Sequence, residues 1–139
     1  MANEVPYAFP VELLSGTHDF ASDTFKLALY TATPYTNAST IYVVTSESSG
    51  TEYSAGGNTL SGNAVSNVTD YATVDFTDSV WGSPTPATFS AAYAALYNSS
   101  ASNKAIAVID FGATKSVTSG TLTVTLPANS AAAAIIRLK

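Results

Sequence analysis

The chain has 139 residues, no cysteine, and a formal net charge of −5. That length suits one domain with a core of its own, and the missing cysteine excludes disulfides and thiolate chemistry and fits a reducing cytosol. Five lysines and arginines, scattered along the sequence, form no basic stripe, so nucleic-acid binding is excluded as an expectation.

The first ten residues, MANEVPYAFP, place Val5, Tyr7 and Phe9 at alternate positions beside Pro6 and Pro10. Proline disfavours a helix interior and favours an extended path. Residues 1 to 10 therefore read as an extended amino-terminal arm, either an edge strand of its own domain or a strap onto a neighbour. No charged stretch followed by an apolar run opens the chain, and no long uncharged span follows. The expectation is neither a signal peptide nor a membrane helix.

Val11 to Phe20 fits a short helix or a strand. Thr24 to Thr31 alternates, with Phe25, Leu27 and Leu29 on one face, and predicts a strand. It ends in a loop with Pro34 and Asn37. Thr40 to Thr45, TIYVVT, is β-branched and aromatic and predicts another strand. Residues 46 to 70 are rich in glycine, serine and asparagine and predict a long excursion with weak strands around Tyr53 and Leu60 to Val65. Tyr71 to Phe76 alternates again, and GSPTP after Trp81 makes a break.

The second half is the most patterned. Phe89, Ala91, Tyr93, Ala95 and Tyr97 share one parity, and Leu122, Val124 and Leu126 alternate with threonines. Between them, Ala105 to Phe111 is apolar at nearly every position, which suits a strand covered on both faces. The simplest arrangement is a three-stranded meander with this run in the middle. The tail, Ile135, Ile136 and Leu138, predicts a closing strand. No fixed-period repeat is visible.

The fold expectation is all-β: a single-domain antiparallel β-sandwich or barrel of about eight strands over residues 11–139, with the arm at 1–10. The expected core is Phe25, Leu27, Leu29, Val43, Val74, Phe76, Trp81, Ala107, Ile109, Phe111, Leu122, Val124 and Ile136.

Charged residues are only 11% of the chain, against about 25% in an ordinary soluble domain. Short hydroxyls and methyls replace them. Such a surface suits contact with other protein, or an uncharged face on an ordinary β domain.

Little in the sequence points to chemistry. His18 is the single histidine, beside Asp19 and near Asp23; a metal site ordinarily needs more nitrogen or sulfur ligands. There is no GxSxG, HExxH or phosphate loop. Asp70, Asp75 and Asp78 lack the alternation and glycine of a calcium loop. Three sequons, at Asn37, Asn67 and Asn98, are expected by chance in a chain this rich in serine, threonine and asparagine. No catalytic residue, cofactor or metal is assigned.

Four stretches carry a resemblance: HDFASDTFKLALYTATP from His18, SGTEYSAGGNTL from Ser49, AALYNSSASNKAIAVIDFG from Ala94 and SGTLTVTLP from Ser119, with the closing AIIRLK. Together they resemble a family of small structural proteins of tailed bacteriophages. The resemblance implies a non-enzymatic virion component, foremost a capsid decoration or cement protein. It implies as partners the major capsid protein and further copies of the chain, a trimer being one arrangement, with neither nucleic acid nor membrane. The expected location is the capsid surface, after synthesis in the bacterial cytoplasm. A tail, head-tail adaptor or fibre-base subunit is the first alternative. A glycan-binding sandwich using Tyr35, Tyr53, Tyr71 and Trp81 is the second. The residues expected at the interface are Val5, Tyr7, Phe9, Tyr93 and Tyr97.

Overall fold

A computed structural model describes residues 3–33 and 35–139. Met1 and Ala2 of the expected arm, and Pro34 of the expected loop, lie outside the described residues. The fold is all-β and antiparallel, with one short helix, α1 (Ala8–Leu14). The strands are β1 (Phe25–Tyr30), β2 (Asn58–Thr59), β3 (Ala64–Val68), β4 (Tyr71–Asp75), β5 (Ser79–Trp81), β6 (Ala87–Asn98), β7 (Lys104–Gly120), β8 (Leu122–Val124) and β9 (Ile136–Leu138). They form three ladders, in the orders β2-β1-β6-β7, β3-β4-β9 and β5-β8. Among the described residues these ladders do not join into one closed barrel.

β1 and β6 are the interior strands of the largest sheet. Their pairing is unbroken from Phe25↔Asn98 to Tyr30↔Tyr93. Both faces of this pair are covered. On one face Phe25, Leu27, Leu29, Phe89, Leu96 and Ile106 join Phe20, Phe76 and Trp81 in the main core. On the other, Ala28, Tyr30, Ala95, Tyr97, Ala105 and Val108 pack with Tyr35, and Tyr42 and Val43 close over them. A strand buried on both sides reads as a run of apolar residues rather than an alternation. That describes Phe25–Tyr30 and much of Ala87–Asn98.

The parity expected for β6 does not hold along its whole length. The ladder with β7 slips between Ala91 and Tyr93. Two steps along β6, Ala91 to Tyr93, face five along β7, Lys115 to Asp110, and the faces of β6 exchange across this irregularity. Phe89 and Ala91 consequently face the main core, whereas Ala95 and Tyr97 face the second cluster.

The expected meander is corrected in the same region. β7 pairs with β6, but β8 pairs with β5, in the register Trp81↔Leu122 and Ser79↔Val124. The middle run is therefore not a central strand; β6 is, and β7 ends the sheet. Part of the β7 edge is capped by single bridges from Glu4 to Val108 and from Ile41 to Lys104. These caps explain why Ala105, Ile106 and Val108 are buried on an edge strand.

Three further expectations change. Thr40 to Thr45 forms no ladder; Ile41 bridges Lys104, and Tyr30 Oη donates to the Val43 carbonyl at 2.8 Å. It is a strap across the tyrosine cluster, its β-branched residues used for packing. The amino-terminal ten residues are not extended throughout, because α1 begins at Ala8. Pro10 sits in the first turn, where its missing N–H has no intrahelical partner to lose. Of the expected core, Phe25, Leu27, Leu29, Val74, Phe76, Trp81 and Val124 are buried, while Val43, Ala107, Ile109, Phe111, Leu122 and Ile136 are half-buried. The closing strand is present as β9, paired with β4 from Val74↔Ile136 to Ala72↔Leu138.

One glycine fixes how the excursion lies against the sheet. Gly57 has φ +71°, and a Cβ there would stand 1.9 Å from the Leu27 carbonyl oxygen. Gly16 also has positive φ, +76°, but has open space around it. Gly57→Ala should therefore destabilise the fold by about 3 kcal/mol or more, and Gly16→Ala by only about 1 kcal/mol. Urea unfolding of the two variants measures the difference. Equal costs would mean that the close approach at Gly57 is not a constraint.

Candidate assembly interface

α1 is set by its ends and its pattern. At the carboxyl end, Gly16 N donates to Leu13 O at 3.2 Å and Thr17 N to Glu12 O at 2.9 Å. This is the Schellman closure, with glycine in the left-handed position that stops the helix. Phe9 turns inward, 5.4 Å from the His18 ring and 6.2 Å from Phe20, edge-on to the latter. Leu13 packs on the same core. The outward residues are apolar too: Val11 is 68% and Leu14 90% exposed, with Tyr7 at 70% and Val5 at 52% just upstream. α1 thus has an apolar inner face and an apolar outer ridge.

A polar clamp fastens the helix. Glu12 accepts from Lys104 Nζ at 2.6 Å and from His18 Nε2 at 3.2 Å. His18 Nδ1 accepts from Asn98 Nδ2 at 3.1 Å, and the same amide donates to Asp23 at 2.7 Å. Asn98 Oδ1 is held by the amides of Ser100 and Ala101. That fixes the orientation of the Asn98 side chain and hence the donor and acceptor roles on the imidazole. Both ring nitrogens are used and the His18 side chain is wholly buried. The ring is a rivet between helix and sheet, with no nitrogen left for a substrate or metal. Burial pushes the Glu12 carboxyl up, but Lys104 and His18 together outweigh it and hold the group below its ordinary value.

A second polar centre lies behind the tyrosine cluster. The Glu47 carboxylate accepts from Tyr42 Oη at 2.5 Å, Tyr53 Oη at 2.8 Å and Gly56 N at 2.7 Å. Tyr53 Oη also accepts from Leu29 N at 2.8 Å. Tyr97 stacks on Tyr42 at 4.7 Å and donates to the Gly56 carbonyl at 2.8 Å. Burial raises all these phenols: Tyr97 is pushed up to about 12 by burial and then by the negative charge of Glu47. Tyr30, Tyr35, Tyr42 and Tyr53 are raised as well, burial again coming first.

The residues expected at an interface therefore separate. Val5 and Tyr7 are exposed. Phe9 and Tyr97 are buried in the chain itself, and Tyr93 is half-buried against the second cluster. Phe9 is turned inward by the helix that the arm was not expected to form, and Tyr97 lies beyond the bulge on a face roofed by residues 35–43. Val11 and Leu14, in the stretch that fits a short helix or a strand, were not among the expected interface residues; α1 exposes both.

The aromatics that suggested glycan binding are buried or half-buried. Tyr35 and Trp81 are buried, and Tyr53 stacks on Trp81 with ring centroids 6.3 Å apart. Tyr71 lies under Arg137 and Lys139 at 4.9 and 5.2 Å. Asp78 accepts the Leu126 amide at 2.8 Å, as a turn residue does. Among the described residues no three His, Cys, Asp or Glu side chains gather as a metal site would need. Asn98, one of the sequons, is fully buried.

Comparison with protein-family models, curated proteins and solved structures gives no match to this chain.

Two pH responses follow from this chemistry. Glu12 is held low in the fold, so its contribution is present above pH 4.5, its ordinary value, and is lost as pH falls through the lower folded value. Lys104→Met should flatten that acid loss, read as the change in urea midpoint between neutral and acid pH. An undiminished acid loss would count against the clamp. The raised phenols act at the other end: their contribution is complete below pH 10, the ordinary tyrosine value, and is lost as pH rises above it. Tyrosinate absorbance should accordingly rise in step with loss of the native near-ultraviolet signal. Ionisation of all eight tyrosines near pH 10 with the fold intact would contradict the buried network.

Proposed function

We propose that the chain is a non-enzymatic structural subunit of a bacteriophage virion, foremost a decoration protein that clamps the outside of the capsid shell. The observation that carries this reading is the apolar ridge of Val5, Tyr7, Val11 and Leu14, presented on a helix clamped to a β body. A helix with apolar residues on both sides has one face with no partner inside its own chain. Exposed apolar groups gathered on one element mark a surface for association. The low charge of the rest of the surface and the resemblance to small phage structural proteins support the same reading.

The mechanism is mechanical. The two-faced sheet supplies stiffness, and Glu12, Lys104 and His18 hold the helix in one orientation. The ridge then meets the shell without ordering a flexible segment, so less of the binding free energy is lost to conformational entropy. Burial of a few large side chains at about 25 cal/mol per Å², repeated over many copies, stabilises the shell as a whole.

The double variant Tyr7→Asp with Leu14→Asp should weaken attachment to shells stripped of this protein by about tenfold or more, a loss of about 1.4 kcal/mol. The unfolding midpoint should hardly move, because both side chains are exposed. Co-sedimentation with such shells reads the affinity. Unchanged sedimentation of a folded variant would refute the role of the ridge. A tail or adaptor position would use the same surface and is separated by copy number in purified particles.

A further inference from the structure

Between β7 and β8 the structure leaves an open apolar cleft of about 840 Å³. Its apolar walls include Ile109 and Phe111 on one side and Leu122, Val124, Leu126 and Ile135 on the other, with Lys115 also lining it. β8 pairs with β5 along one edge only. Leu126 N donates to Asp78, on the β5 side. Alternation along a strand then turns the backbone groups of Thr123 and Thr125 toward the cleft. Neither amide has a hydrogen-bond partner among the described residues.

One end of the cleft already holds an occupant. Asn3, Glu4 and Val5 line it. Glu4 N donates to Val108 O at 3.0 Å and Val108 N to Glu4 O at 2.8 Å, and Asp110 N donates to Asn3 Oδ1 at 2.8 Å. The cleft thus binds extended backbone, as a strand, and does so with the chain's own first described residues. The remaining length has the same character: apolar floor, an unpaired strand edge and hydroxyl side chains along the rim.

We infer that this cleft is a strand-acceptor site, which takes an extended segment of a partner protein as an added strand along the free edge of β8. The segment is one with apolar side chains at alternate positions, which enter the cleft, and a carboxylate set toward Lys115. Main-chain bonds to Thr123 and Thr125 give affinity, and the alternate side chains give selectivity. Among the described residues Lys115 is the only cation lining the cleft, and no ion pair engages it. This inference does not rest on the virion reading; Val5 is the one residue that the cleft shares with the apolar ridge.

The test uses the full chain and a capped probe hexapeptide, Thr-Val-Glu-Val-Thr-Val, followed by NMR and amide exchange. Saturable binding with new protection at Thr123 and Thr125 is expected. Thr125→Pro removes one outward N–H from an edge strand and should abolish binding, while Thr125→Val keeps the amide and should bind as the native chain does. Lys115→Glu should weaken this peptide by about three- to fivefold. No saturable response at millimolar peptide, a response mapping elsewhere, or a folded Thr125→Pro variant that binds normally would overturn the inference. Occupation by decanoate, with no response to peptide, would overturn it too.

Discussion

The pairing of β1 with β6 is the constraint on which the rest of the molecule depends. Six consecutive residue pairs join them without a break. Nearly every side chain on both strands is buried, on whichever face it falls. Such a pair cannot stand alone in water; both faces need covering, and the remainder of the chain is arranged to do this. On one side α1, β4 and β5 bring Phe9, Val74, Phe76 and Trp81. On the other, the strap with Tyr42 and Val43 covers the tyrosines, whose hydroxyls are satisfied by carbonyls and by Glu47. Alanine at positions 28, 94 and 95 keeps the covered sheet thin enough for these bulky neighbours to close over it.

This double covering also determines what is left for partners. Aromatic residues abound in the chain, yet most are spent on the interior. Among what stays outside are the ridge of α1 and the unfinished side of β8. The two differ in kind: one is a convex apolar ridge held by an ion pair, the other a concave channel with free backbone groups. They are built on different elements, α1 and β8.

Much of the architecture was legible in the residues. Phe25 to Tyr30 and Tyr71 to Asp75 declared themselves through alternation, and the terminal Ile136 to Leu138 through its aliphatic residues, and each is a strand. What was not legible depends on tertiary partners. Nothing in AAYAA marks Ala92 as the place where the faces exchange, because the slip follows from the extra residues of the partner strand. Ala105 to Phe111 reads as a central strand because it is apolar throughout, but its coverage comes from residues 4 and 41, far away in sequence. Trp81 pairs with Leu122 across some forty residues, and no local signal announces β5. The exposed ridge was half visible: Val5 and Tyr7 stood out as apolar residues at alternate positions of the arm. Leu14 did not, because Val11 to Phe20 fitted a strand as well as a helix and only the packed helix shows which face is exposed.

The central claim is that a stiff, doubly covered sheet carries an apolar helix ridge to a larger assembly. Cryo-electron microscopy of intact particles tests it most directly. The account predicts density for this fold on the outer surface of the shell, with α1 turned inward and Tyr7 and Leu14 in contact with capsid subunits. Density with α1 facing solvent, or particles that lack the protein altogether, would contradict it.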